Sequence, residues 1–97
     1  MNIYIDGSEA LNDLEEIELS IAKDNIDRAL SFVNELIDFC DSLGNFANKG
    51  TQAKWTNDTS VKEMYYKDYT FIYEINSDSV IIHEIHNFAK MIRHFNK

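Results

Sequence analysis

The apolar positions of this 97-residue chain change period twice. Asn2-Ile3-Tyr4-Ile5 is a run of β-branched and aromatic residues closed by Asp6-Gly7, the pattern of a short strand entering a turn. Leu11, Leu14, Ile17 and Ile21 then recur at spacings of three and four, which gathers them on one face of a helix. Ser8 is the expected N-cap, with a hydroxyl able to accept a free amide of the first turn, and Glu9 suits the positive end of the helix dipole. A second helix is expected from Asp24 or Asn25, with Asp24 and Asp27 spaced as a capping box. Its apolar line is Ile26, Ala29/Leu30, Val33, Leu36/Ile37, Cys40 and Leu43. Gly44, which has no Cβ to clash in a left-handed conformation, is placed to end it. The link between the helices is so short that they are expected to pack antiparallel.

Residues 45–60 are polar and aperiodic, which predicts a loop of about 15 residues, long for so small a domain. Trp55 within it either covers the edge of the core or stands exposed as a contact residue. The period then becomes two. Val61–Tyr66, Tyr69–Ile75 and Val80–Ile85 read as strands joined by the turn-like Lys67-Asp68 and Asn76-Ser77-Asp78-Ser79. Regular alternation puts Tyr69, Phe71, Tyr73 and Ile75 on one face of the middle strand. In the last strand it sets Ile81, His83 and Ile85 opposite Val80, Ile82, Glu84 and His86. Phe88, Met91, Ile92 and Phe95 fit a short C-terminal amphipathic helix or tail. The expected architecture is α+β within a single domain, residues 1–97: an N-terminal strand, a helical hairpin, then a three-stranded antiparallel meander.

Composition narrows the function classes. An apolar content of 44% with 12% aromatic residues excludes a disordered chain. A single cysteine excludes a disulfide scaffold or an all-cysteine metal site and points to a reducing compartment, the cytoplasm. Cys40 lies on the apolar line, as a buried structural cysteine does. The opening residues carry no secretory signal pattern, and no apolar run approaches the roughly 20 residues needed to span a bilayer, so no membrane partner is expected.

Seventeen acids against nine Lys/Arg give a formal charge of −8, which argues against non-specific phosphate binding by the chain as a whole. The charge is unevenly spread. Residues 1–60 hold 12 acids and 4 Lys/Arg, whereas residues 61–97 hold 5 of each. Glu15, Glu16 and Glu18 give the first helix an acidic side, either a solvated surface or a match for a basic partner. Past Glu84 there is no acid, while Lys90, Arg93 and Lys97 follow.

Phosphate-loop, HExxH, paired-cysteine and G-x-S-x-G patterns are absent from the sequence. His83-Glu84-Ile85-His86 places three potential metal ligands close together, but in a regular strand the two histidines face opposite sides, so neither metal nor cofactor is expected. Tyr65, Tyr66, Tyr69 and Tyr73 lie near Lys62, Lys67, Lys90 and Arg93 in sequence, a combination that could stack RNA bases and hold phosphates. His86 could then transfer protons near neutral pH. The alternative is that the tyrosines pack the sheet and the histidines are partly buried, hydrogen-bonded groups.

Several segments in order resemble the RelE/ParE superfamily. Ser8 through Ile17 is similar to its opening S-x-x-A-x-x-D-L-x-x-I, with the alanine one place early. Ile21-Ala22-Lys23-Asp24-Asn25, with Ala29 and Phe32 beyond, resembles its inter-helix segment. Leu43, Phe46 and Gly50 resemble L-x-x-x-P-x-x-G, with Ala47 in place of proline. Tyr69–Ile75 resembles its central strand Y-x-I-x-Y-x-V, and Val80–His86 its last strand. The resemblance implies a toxin of a type II toxin–antitoxin pair, neutralised by a small antitoxin, with DNA gyrase or ribosome-bound messenger RNA as target. The ParE-like, gyrase-inhibiting reading is favoured. The RelE-like endonuclease alternative assigns His86 as acid-base residue and Lys62, Tyr65, Lys90 and Arg93 as target contacts. Lys62 and Ala89 stand where that pattern has arginines, and lysine does not replace a bidentate guanidinium. A degenerate member kept as an antitoxin-binding module is the third reading. The charge split implies an antitoxin that brings basic residues to the helices or acidic residues to residues 62–97.

Overall fold

A computed structural model describes residues 2–53 and 55–87. In chain order it contains β1 (Asn2–Ile5), α1 (Ala10–Ala22), α2 (Ile26–Phe46), a 3-10 turn (Ala47–Lys49), β2 (Thr51–Gln52), β3 (Val61–Tyr66), β4 (Tyr69–Ile75) and β5 (Ser79–Asn87). The strands form one sheet in the order β1-β5-β4-β3-β2. The three-stranded meander is antiparallel, and β1 joins β5 in parallel, with Ile3 opposite Val80 and Ile5 opposite Ile82. The α+β architecture expected from the sequence is the one observed. The C-terminal helix or tail, with Lys90 and Arg93, lies outside the described residues.

Both helices lie on one face of the sheet. Ala10 and Leu14 of α1 and Leu36, Cys40 and Leu43 of α2 form the core with Phe71, Tyr73, Val80, Ile82 and Ile85. Phe39 ties the layers together: its ring stacks on Tyr66 at 4.4 Å and tilts against Phe71 at 4.8 Å. Burial pushes the Cys40 thiol up to about 12, which leaves it a packing group with negligible thiolate at neutral pH.

The helix ends differ from the expected ones. Ser8 does not cap α1. Its amide and hydroxyl both donate to Asp6 Oδ1, at 2.8 and 2.6 Å, in an Asx turn that precedes the helix. At α2 the cap is Asn25, whose side-chain oxygen accepts from the Arg28 amide at 3.0 Å, in place of an Asp24–Asp27 box. Gly44 does not terminate α2, which continues to Phe46. A mid-helix glycine costs about 1 kcal/mol, but Leu43 and Ala47, one turn apart across it, are both buried. That burial outweighs the glycine penalty.

Alternation in β5 also departs from the regular pattern. Ile72 pairs with Glu84 while Tyr73 pairs with Ile82, so His83 is an extra residue, a β-bulge on β5. Val80 and Ile82 before the bulge and Ile85 after it therefore all reach the core. Beyond the end of β1, the Ile85 amide donates to Asp13 Oδ2 of α1 at 2.9 Å, across 72 residues of sequence. The charged acceptor takes up a strand amide that β1 is too short to pair.

Residues 45–60 are more ordered than a plain loop. The 3-10 turn brings the Ala47 carbonyl to the buried Tyr73 hydroxyl, which donates to it at 2.6 Å. Gly50 then crosses so close to Tyr73 that an added Cβ would collide with its hydroxyl, and would lie 2.9 Å from the Glu63 carbonyl oxygen. Gly50→Ala is accordingly expected to lower stability by about 1–3 kcal/mol through overpacking, measured by urea unfolding. A wild-type unfolding midpoint would show that Gly50 is not held against Tyr73.

Candidate functional site

The face of the sheet away from the helices carries the exposed chemistry. Register decides its membership, since directly paired residues share a face. Val61, Glu63 and Tyr65 of β3 pair with Glu74, Ile72 and Thr70 of β4. These in turn face Ile81, Glu84 and His86 of β5. The bulge adds His83, whose Nε2 lies 3.1 Å from Glu74 Oε1. Ala53 is fully buried against Val61 and Ile72, which draws the preceding loop across this face. The result leaves Trp55 standing over it, 63% exposed. Trp55 is thus exposed and does not cover the main core.

Two open cavities lie side by side beneath Trp55. One, of about 350 Å³, is lined by Trp55, Glu63, Tyr65, Thr70, Ile72, Glu84 and His86. The other, of about 410 Å³, extends from Trp55, Ile72 and Glu84 past His83 and Glu74 to Asp6 and Glu9. Five carboxylates line the pair, and among the described residues no Lys or Arg does. Lys49 lines a third cleft around the β2 edge, with its ammonium 5.3 Å above the Phe46 ring.

The polar groups of this face are paired locally. Tyr65 Oη donates to Glu63 Oε2 at 3.2 Å, and the charge of Glu63 beside it holds the phenol above its usual range. His86 Nε2 lies 3.4 Å from Glu84 Oε1. His83 Nδ1 lies 3.5 Å from Asp6 Oδ2, and the hydroxyl and amide of Ser8 hold the Asp6 carboxyl below its ordinary value.

The sequence-selected residues therefore do not form one cluster. Tyr65 and His86 line the same cavity. Lys62 pairs with the buried Tyr73 and so belongs to the helix side of the sheet. Lys67 turns back to pair with Glu35 of α2 and lies 5.5 Å over the Phe32 ring. Lys90 and Arg93 lie outside the described residues. Sequence reasoning missed Glu63 and Trp55 as neighbours of His86, and Glu74 as the partner of His83. The signal for the carboxylates was the alternation of β3 and β4, which puts Glu63, Tyr65, Ile72 and Glu74 on one face. The expectation that His83 and His86 face opposite sides fails at the bulge: both line the open face with Glu84 between them. Among the described residues no three metal-ligating groups converge, and no helix is long and apolar enough to cross a membrane.

An α+β sheet backed by a helical hairpin, with an acidic cleft on its free face, defines the structural class. The chain belongs to the ParE toxin family of type II toxin–antitoxin systems, whose family model matches residues 8–87. Among solved structures it resembles a chain of the chromosomal ParDE TA system from P. aeruginosa, with a TM-score of 0.73 and 17% identity, covering 90% of this chain and 95% of that one. No curated protein sequence matches it. The family brings with it an antitoxin as partner.

The lowered pKa of Asp6 gives a pH test of the turn that launches α1. A carboxylate depressed in the folded state adds stability that is complete above the ordinary value of 3.8 and is lost as pH falls through the lowered one. The difference in melting temperature between wild type and Asp6→Asn should be largest at neutral pH and shrink as the solution is acidified below that ordinary value. A difference that does not change with pH would remove Asp6 from the turn's electrostatics.

Proposed function

We infer that this toxin acts by binding and inhibiting DNA gyrase and does not cleave messenger RNA itself. The observation that carries the reading is the chemistry around His86. An endonuclease must neutralise a phosphodiester whose charge grows in the transition state, and does so with Lys, Arg or other donors aimed at it. The cleft containing His86 instead holds Glu63 and Glu84, and the adjoining cavity adds Asp6, Glu9 and Glu74. Phosphate placed there would meet like charge on several sides. Of the three phosphate contacts expected under the endonuclease alternative, Lys62 lies on the other side of the sheet, and Lys90 and Arg93 lie outside the described residues. A gyrase inhibitor needs a recognition surface, with no general acid-base group, and membership of the ParE family agrees with that mode.

The test is regulated expression in bacteria, with plasmid supercoiling and transcript integrity followed together. Induction should reduce gyrase-dependent supercoiling and leave transcripts intact. His86→Ala, which would cost an endonuclease about 100-fold or more, should leave growth arrest unchanged. Transcript cleavage that disappears in His86→Ala would establish the endonuclease. Growth unaffected by the wild-type chain would point to an antitoxin-binding module.

A further inference from the structure

The open face of the sheet has a chemistry that selects its occupant. The two cavities share Trp55, Ile72 and Glu84, so they join as one groove running across β3, β4 and β5. Its floor is apolar at Ile72, and its walls carry carboxylates at both ends: Glu63 and Glu84 beside Tyr65, then Glu74 and Asp6 beside His83. Two aromatic rings stand open to solvent at the first end, Trp55 at 63% and Tyr65 at 60% exposure. Aromatic faces attract cations, and most of all the flat guanidinium, which also pairs with carboxylates through two parallel hydrogen bonds. Glu63 and Glu84 each use one oxygen in a neighbouring contact, at 3.2 Å to Tyr65 and 3.4 Å to His86, which orients the carboxylates. Anionic partners are disfavoured for the same reasons.

We propose that this groove is the docking site of an extended, arginine-bearing segment of a partner protein, with a guanidinium against Trp55 and Tyr65 and its charge met by Glu63 and Glu84. Charge complementarity carries the assignment of the occupant. In residues 61–87, Glu63, Glu74 and Glu84 all fall on the open face, whereas Lys62 lies on the helix side and Lys67 is paired with Glu35. A segment count that is nearly neutral thus conceals a face that is strongly acidic. The inference concerns a protein-binding surface and does not depend on gyrase being the target.

The experiment measures binding of fluorescein-labelled hexa-arginine to the full chain by anisotropy, with hexaglutamate and a short single-stranded RNA as comparison ligands. Trp55 is the only tryptophan, so its emission reports whether the groove is the place of contact. Hexa-arginine should bind, change the Trp55 emission, and be weakened as salt rises to about 0.5 M. Glu63→Gln/Glu84→Gln should weaken it about tenfold, and Trp55→Ala should weaken it as well. Glu15→Gln/Glu16→Gln on the solvent side of α1 should not, which separates the groove from the general negative charge of the chain. Circular dichroism identical to wild type establishes that the variants remain folded. Three results would each overturn the proposal: affinity unchanged in Glu63→Gln/Glu84→Gln, tighter binding of the RNA than of hexa-arginine, or no change in Trp55 emission. A change in the Trp55 emission of the free chain on replacing Lys90, Arg93 and Lys97 with glutamine would assign the groove to the chain's own basic segment and overturn it too. Supercoiling inhibition is read in a separate assay, so the two readings can fail independently.

Discussion

The bulge at His83 is the constraint on which the remaining structure depends. A strand with strict alternation can offer only every second residue to the core. β5 has to serve two neighbours, pairing with β1 through Ser79–Ile82 and packing against α1 beyond it. One extra residue resets the alternation between these two stretches, so that Val80, Ile82 and Ile85 all become buried. The carboxylate of Asp13 then takes the Ile85 amide and fixes α1 to the strand just past the bulge. Helix, sheet and open face are set in relation to one another by that single insertion.

The same insertion shapes the exposed surface. It brings His83, Glu84 and His86 to one side, next to Glu74 and Glu63 from the neighbouring strands. Four local contacts, Tyr65–Glu63, His86–Glu84, His83–Glu74 and His83–Asp6, organise the polar groups under Trp55. This surface is suited to a cationic protein partner and ill suited to a nucleic acid backbone. Of the two antitoxin chemistries that the charge split implied, basic residues against the helices or acidic residues against residues 62–97, the second would meet like charge on the open face of the described part of that segment.

Much of the fold was legible because its elements have strong local signals. The hairpin helices follow from the three-and-four spacing of Leu14, Ile17, Leu36, Cys40 and Leu43, and the meander from β-branched and aromatic runs. The misreadings occurred where tertiary contacts override local preference. Ser8 gave up the expected cap because Asp6 takes its hydroxyl and amide together. Gly44 stays helical because Leu43 and Ala47 are buried on either side of it. The bulge has no glycine to mark it, and it decides which histidine and glutamate side chains meet. Net charge by segment was also a poor guide, since strand alternation sorts acids and lysines onto opposite faces.

The resemblance read from the sequence gains physical content from these contacts. Asp13 and Leu14 of the first-helix motif hold the Ile85 amide and fill the core. Ala47 and Gly50 of the second motif meet Tyr73 of the central-strand motif. The most direct test of this account compares Ile85→Ala with Glu84→Ala in urea unfolding. Strict alternation onward from Val80 and Ile82 would bury position 84 and expose position 85, whereas the bulge reverses the two. Ile85→Ala should therefore lower stability by about 2–5 kcal/mol, and Glu84→Ala by much less. Equal losses, or a larger one for Glu84→Ala, would contradict the claim that the inserted residue organises the fold.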